Sequence, residues 1–262
     1  MERGEYVHMH EAPIINLGGF NLDLSAVLML FVSCLIVFVL CRLAVANLSV
    51  ENPGKLQNFM EWVVEFVQGV VGSAMDLKKG KPYISLGLTL ILFIFVSNLL
   101  GLPMGIITEA HKPESIFGFV IEATRNLSGG EHAEILWWKS PTADISVTAG
   151  LAIIVFFLMN YLGLKHNRKH YLKHYIEPFP VFLPLNIIEN LAKPIALAIR
   201  LFANIFAGEV LITVILKMGF LGIPFMGIWQ GFSIFVGALQ AYIFTILTMV
   251  YIAQTTIHEE DH

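Results

Sequence analysis

Five apolar stretches, each long enough to cross a bilayer, constrain this chain more than any other feature. A run of about 20 apolar residues matches the hydrocarbon core of a membrane. Backbone groups in that core must find partners within the protein, which leaves helices or closed barrels. The lengths predict five membrane helices within one integral membrane domain, residues 1–262. The stretches run over 24–46, 83–107, 145–164, 185–216 and 225–257.

Composition supports this class and excludes others. Hydrophobic residues make up 56% of the chain and charged residues 14%, far from the averages of soluble domains. The net charge is −4 and the basic residues form short clusters, so no nucleic-acid partner is expected. Cys34 and Cys41 lie in the first apolar stretch without neighbouring ligands, which gives no basis for a disulfide, a metal site or a cofactor.

A sixth helix is predicted over 55–74, after the Asn52-Pro53-Gly54 turn. Its apolar residues recur at helical spacing opposite Gln57, Glu61 and Glu65, a pattern typical of an amphipathic helix on a membrane surface.

Loop charges predict the orientation of the chain, because Lys and Arg accumulate in cytoplasmic loops. Residues 42–82 carry five such residues and residues 165–174 carry four, whereas residues 109–143 carry three against five glutamates. The first two loops, with the 55–74 helix, are therefore expected in the cytoplasm. The N-terminus is then outside and the C-terminus inside.

The last two stretches are too long to stand upright in a bilayer. A helix of 32 or 33 residues reaches roughly 50 Å, against a hydrocarbon core of about 30 Å. Strong tilting accommodates such a mismatch. We therefore expect a long, strongly tilted hairpin that turns at residues 218–224.

The first helix of this hairpin contains Arg200, the residue that most needs a functional explanation. A charge at the bilayer centre costs roughly 2.5–3.5 kcal/mol on insertion scales and persists where a partner or a wet cavity stabilises it. At 100° per residue, Lys193, Arg200 and Asn204 share one helix face with small alanines, which lets another helix approach closely. Glu209 lies near the opposite face and cannot pair with Arg200 within the helix.

The second helix of the hairpin has a stripe with steps of three and four residues, formed by Ser233, Gly237, Gln240, Phe244, Thr248 and Tyr251. In an antiparallel hairpin, Gln240 lies level with Arg200. Each of these polar residues also has a structural explanation. Interhelical hydrogen bonds account for the Ser, Gln and Thr, an interfacial anchor accounts for Tyr251, and snorkelling accounts for Lys193. Asn98 is either structural or functional, and helix capping alone explains Asp144.

Four segments resemble one known family. Residues 192–209, AKPIALAIRLFANIFAGE, and 239–254, LQAYIFTILTMVYIAQ, are similar to the signature pair of the a subunit of bacterial F-type rotary ATP synthases. Residues 95–104, FVSNLLGLPM, and 140–148, SPTADISVT, resemble that family's other recurrent stretches. The resemblance covers about residues 20–257.

The resemblance implies a stator subunit of five membrane helices and one cytoplasmic amphipathic helix, which carries protons but is not catalytic alone. It implies as partners a ring of c subunits with a mid-membrane carboxylate, a b-subunit peripheral stalk, the remaining synthase subunits and the lipid of the bacterial plasma membrane. Residue by residue, it assigns Arg200 as the essential arginine, Asn204 and Glu209 as an outer polar pair, Gln240 as the central glutamine and Tyr251 as a tyrosine near the inner exit. Some relatives carry a histidine where Ser233 stands.

These observations lead to a hypothesis of two proton half-channels that couple proton flow to ring rotation and ATP synthesis. Protons enter along Glu209, Asn204, Ser233 and Gln240, and leave past Tyr251, Glu189 and Lys193. Asn98 and Asp144 are two further candidate residues. The coupling ion, H⁺ or Na⁺, stays open. One alternative is a secondary transporter or channel in which Arg200 binds an anion. A haem-carrying subunit is disfavoured, because all nine histidines lie outside the apolar stretches.

Overall fold

The computed structural model describes residues 12–102, 107–116, 119–124, 133–174, 181 and 183–256. Over these ranges the chain is predominantly helical, and five of its helices are long and apolar enough to cross a membrane. The predicted class, an all-α membrane protein, is confirmed. The helices are α1 Leu24–Ala44, α2 Lys55–Ala74, α3 Leu77–Gly80, α4 Ile84–Leu100, α5 Ile145–His174, α6 Leu183–Lys217 and α7 Gly222–Thr256.

Helix ends depart from the apolar stretches where local chemistry intervenes. α4 ends at Leu100, seven residues before the predicted end of that stretch, because the chain turns at Gly101 and resumes as a strand at Ile107. α5 continues to His174, ten residues past its apolar part, as a polar helical extension. α6 and α7 each have 35 residues and are joined by a short turn. Ile257, the predicted end of the last stretch, and both chain termini lie outside the described residues.

α2 runs over the same residues as the predicted amphipathic helix. Its buried stripe, which includes Val63, Val67 and Val71, belongs to the core shared with α4 and α7. The opposite side exposes Glu61 and Glu65. The sequence pattern therefore marks most of the face of α2 that packs against the protein, but Gln57, which it placed on the polar side, is buried and bonds to Ser49 and Glu61.

Side chains of several helices meet in one core. Ile94 of α4, Leu201 of α6, and Phe244 and Ile252 of α7 have no exposed surface. Lipid tails are as apolar as these side chains, so close packing and interhelical hydrogen bonds hold such a bundle together more than the hydrophobic effect does.

Within the described residues, six short strands cover one end of the bundle, which we call the strand end; the opposite end, where α2 lies, is the α2 end. The antiparallel pairs are β1 Ile14–Leu17 with β2 Phe20–Asp23, β3 Ile107–Ala110 with β6 Ala133–Leu136, and β4 Ser115–Ile116 with β5 Phe119–Val120. The sequence indicated only a long polar loop for residues 109–143. The strands have a small core of their own, formed by Ile15, Ala110, Ile121 and Ile135.

Candidate functional site

Arg200 lies on an exposed face of α6. Ala196, Ala203 and Ala207 are exposed beside it, whereas Leu197 and Leu201 of the same helix are buried. Within the described part of the chain, the guanidinium has no hydrogen-bond or ion-pair partner. A cation in the middle of a 35-residue apolar helix is thus presented, with small neighbours, on the surface of the subunit.

Asn204 and Gln240 connect the two long helices one turn from Arg200. The Nδ2 of Asn204 donates to the Oε1 of Gln240 over 3.4 Å. Gln240 is 2% exposed, so its amide faces the interior, while Asn204 is exposed on the Arg200 side. The predicted level of Gln240, beside the arginine region of α6, agrees with this contact.

Glu209 lies further along α6 and points to the strand end. Its Oε1 accepts a hydrogen bond of 3.3 Å from the backbone N–H of Ser140. Glu209 also lines a cavity of about 110 Å³ together with Asn98, Asn204 and Ser233. A cavity of this volume has room for several water molecules. Four of the residues predicted for the site therefore line one cavity, whose wall is otherwise mostly apolar.

A buried hydrogen-bond chain runs from Ser140 into the bundle. The Ser140 hydroxyl contacts the Ser97 carbonyl at 2.8 Å and the Thr142 hydroxyl at 2.7 Å. Thr142 donates to the Oδ1 of Asn98 over 2.7 Å, and the Nδ2 of Asn98 donates to the Gly237 carbonyl over 3.0 Å. Asn98 thus has a structural role that ties α4 to α7, in addition to its place in the cavity wall.

Next to Ser140, Lys139 forms an ion cluster with two aspartates. Its ammonium group pairs with Asp23, the N-cap of α1, and lies 3.8 Å from the carboxylate of Asp144. The three side chains are only 14–17% exposed. Burial favours a higher pKa of the Asp23 carboxyl, but hydrogen bonds from Lys139 and Ser25 outweigh it and hold the pKa below its usual value.

Asp144 also caps α5, as its sequence context indicated. Its Oδ1 accepts a hydrogen bond of 2.7 Å from the Ser146 backbone N–H. Asp144 is not among the residues that line the cavity. The structure therefore gives this candidate two structural contacts.

A second polar group lies near the α2 end, where α6 begins and α7 ends. Lys193 is 3.5 Å from the carboxylate of Glu189, donates to the Oε1 of Gln254 over 3.3 Å, and lies 5.8 Å from the centre of the Tyr251 ring. Glu189, Lys193 and Tyr251 were all candidate site residues, and they form one cluster. Gln254 was not foreseen, although it ends the quoted α7 motif.

Sequence reasoning missed the residues that surround Glu209. Ser140 and Thr142 belong to the 140–148 motif but were not predicted as site residues, and neither were Asp23 and Lys139. The available signal was weak: Asp23 directly precedes an apolar stretch, and Lys139 stands between tryptophans and a helix start. Trp229, whose buried indole N–H has no hydrogen-bond partner among the described residues, also lines the cavity.

The fold and this site define a class: a multi-pass membrane protein whose long apolar helices carry an exposed arginine, and a carboxylate and amide groups that line one cavity. Across the described residues, no cluster of His, Cys, Asp and Glu could hold a metal ion.

Comparison with known proteins gives the family. The family model described as ATP synthase A chain matches residues 27–253. The chain is 44% identical over 259 residues to ATP synthase subunit a of Anoxybacillus flavithermus, covering 95% of this chain and 99% of the relative. Identity is 40% over 267 residues with the Bacillus subtilis subunit a, with the same coverage. The chain belongs to the ATP synthase subunit a family.

This membership makes the chain a proton-translocating, multi-pass bacterial membrane subunit that is not catalytic alone. It decides against the secondary transporter considered from the sequence.

Proposed function

We propose that the chain forms two offset proton half-channels against a rotating ring of c subunits and so couples proton flow to rotation and ATP synthesis. The observation that carries this proposal is the exposed Arg200 on a face of small residues. A cation at this depth needs an anionic partner or water. A carboxylate on a passing ring helix meets that need, and the alanines allow the close approach.

The half-channel from the outside runs through the cavity, with Glu209, Asn204 and Ser233 on its wall and Gln240 at its inner end. The shared cavity and the Asn204–Gln240 hydrogen bond support this route. The half-channel to the cytoplasm passes Tyr251, Glu189 and Lys193, and their mutual contacts at the α2 end support it. Asn98 belongs to the first route as a residue of the cavity wall. Asp144 contributes indirectly, because it fixes the chain segment that precedes α5.

Arg200 separates the two routes by electrostatics. A protonated ring carboxylate is neutral and can face lipid, whereas the ionised form is strongly disfavoured there. The fixed guanidinium stabilises the ionised form as it passes, so the carboxylate gives up its proton to one route and takes one from the other. The same positive charge opposes direct passage of protons between the routes.

In this proposal the strand end faces the outside and the α2 end faces the cytoplasm, with the N-terminus outside and the C-terminus inside. The Lys and Arg counts of the loops support that orientation. The remaining partners are the b-subunit peripheral stalk, the other synthase subunits and the surrounding lipid.

The test is Arg200→Ala in vesicles that contain the whole synthase, with ATP-driven acidification and ATP synthesis as measurements. We expect both to be lost. Arg42→Ala is the matched control, because Arg42 is an exposed arginine in the last turn of α1. Full coupled activity of Arg200→Ala would contradict the proposal. Anion flux through the purified subunit alone would contradict it as well.

A further inference from the structure

The segment from Lys139 to Asp144, which we call the 139–144 segment, lies between the membrane helices and the strands. Ser140 and Thr142 have no exposed surface, and their side chains bond to α4. The backbone N–H of Ser140 points instead to Glu209 on α6. One short segment therefore contacts both walls of the cavity.

The ion cluster holds the first and last residues of this segment. Lys139 begins it and Asp144 ends it; Lys139 pairs with both aspartates, and Asp23 ties Lys139 to the start of α1. Partly buried charges are expensive to desolvate, and such a cluster is weak evidence for stability alone. Removal of Lys139 leaves both aspartates without their cation, whereas removal of one aspartate leaves one ion pair in place.

We infer that the Asp23–Lys139–Asp144 cluster is a positioning device for proton entry, which fixes the 139–144 segment so that the Ser140 N–H holds the Glu209 carboxylate at the cavity wall. This inference rests on the proposed role of Glu209 in the outer half-channel. It assigns Asp23, Lys139 and Ser140 as positioning residues for proton translocation.

The chemical reason lies in the kind of donor. A backbone N–H that donates to an ionised carboxylate forms a charge-assisted hydrogen bond, which is stronger than the same bond to a neutral carboxyl group. The contact therefore affects how readily the Glu209 carboxylate binds a proton. Lys139 also interacts electrostatically with Glu209. Among the described charged groups, Lys139 is the one that acts on Glu209, and the other polar groups on the cavity wall are neutral.

Two substitutions at Ser140 separate its backbone from its side chain. Ser140 has φ −63° and ψ 130°, a conformation that proline adopts, so Ser140→Pro removes the N–H without a change of backbone region. Ser140→Ala removes only the hydroxyl. In the whole synthase, we expect passive proton conduction through the membrane sector to be about tenfold lower in Ser140→Pro than in Ser140→Ala, the loss expected for one charge-assisted bond. We also expect the pH dependence of conduction to change in Ser140→Pro only.

Two further variants test the cluster without any change at Ser140. Asp23→Asn keeps a side-chain acceptor for the cap of α1 and keeps the Lys139 ammonium, but it weakens the ion pair that holds Lys139 at the start of α1. Lys139→Met removes the shared cation. We expect both to lower conduction several-fold and to change its pH dependence. Asp76→Asn is the control, because Asp76 caps the short α3 near the α2 end and has no contact with this network.

Glu209→Gln separates the proposed role of Glu209 in proton entry from the positioning role of the ion cluster. If Glu209→Gln leaves conduction unchanged, the proposed role of Glu209 fails. If Glu209→Gln blocks conduction while Asp23→Asn and Lys139→Met match the wild type in rate and pH profile, the positioning role alone is overturned. Equal conduction of Ser140→Pro and Ser140→Ala overturns it as well. Should Ser140→Pro fail to assemble, the cluster variants decide.

Discussion

The close approach of Gly101 to Ser140 makes Gly101→Ala a direct test of the network around Glu209. A Cβ at Gly101 would lie 2.7 Å from the Ser140 Cβ and 3.3 Å from its backbone nitrogen. Ordinary contacts begin at 3.4 Å, so Ser140 must retreat by about 0.7 Å. The backbone of Gly101, with φ −79° and ψ −10°, accepts alanine without strain, so the effect is purely steric.

Such a retreat breaks bonds that hold the 139–144 segment. The hydrogen bond from the Ser140 hydroxyl to the Ser97 carbonyl, now 2.8 Å, would stretch to about 3.5 Å and be lost. The Ser140 N–H would move relative to Glu209 at the same time. Overpacking costs about 1–3 kcal/mol, so we expect Gly101→Ala to lower the thermal unfolding temperature of the purified synthase membrane sector and to reduce ATP-driven acidification.

Gly150→Ala is the matched control, because a Cβ at this α5 position meets nothing within 4 Å. Alanine is better than glycine inside a helix by up to about 1 kcal/mol, so this variant should be as stable as the wild type or more so. The reasoning is refuted if Gly101→Ala and Gly150→Ala have the same unfolding temperature and the same acidification rate.

Two more predictions concern stability. The pKa of Asp23 is lowered in the folded state, so its ion pair stabilises the fold fully above the unfolded pKa, about 3.9, and this contribution is lost as pH falls through the folded pKa. Unfolding temperatures measured from neutral to acid pH should therefore fall less steeply below that value in Asp23→Asn, which is also less stable at neutral pH. Asn98→Leu removes the hydrogen bond that Asn98 donates to the buried Gly237 carbonyl and the one that it accepts from the Thr142 hydroxyl. It should cost about 0.6–2 kcal/mol, measured as a lower unfolding temperature.

Both predictions have controls in the same chain. Asp76→Asn removes a carboxylate that caps α3 by accepting a hydrogen bond from the Lys78 N–H. The unfolding temperature of this variant should fall at acid pH as it does in the wild type. For Asn98, the conservative Asn98→Asp tests whether the acceptor for Thr142 is enough. An unfolding temperature of Asn98→Leu equal to that of the wild type would mean that the α4–α7 hydrogen bond contributes nothing.

The sequence predicts the membrane helices well because a bilayer forces each apolar stretch to satisfy its own backbone. The helical spacing of α2 predicted its buried face for the same local reason. The network near Glu209 is held by hydrogen bonds between residues that are far apart in the sequence. Lys139 and Asp23 are 116 residues apart, and Asn98 and Gly237 are 139 apart. No spacing rule reaches across such distances. The short strands escaped prediction because each has only two to four residues, too few for a periodic pattern, and β3 and β6 in addition pair across a long loop.

The two long helices use their polar faces in opposite ways, which the sequence could not decide. The stripe of α7 that contains Gly237, Gln240 and Thr248 is buried against the protein, whereas the α6 face with Arg200 is exposed. Buried glutamine and threonine need partners, and Gln240 finds one in Asn204 while Thr248 donates to its own helix at the Phe244 carbonyl. The exposed Arg200 has no such partner among the described residues. The two faces meet at the Asn204–Gln240 hydrogen bond. In the proposed mechanism the partner of Arg200 belongs to another subunit.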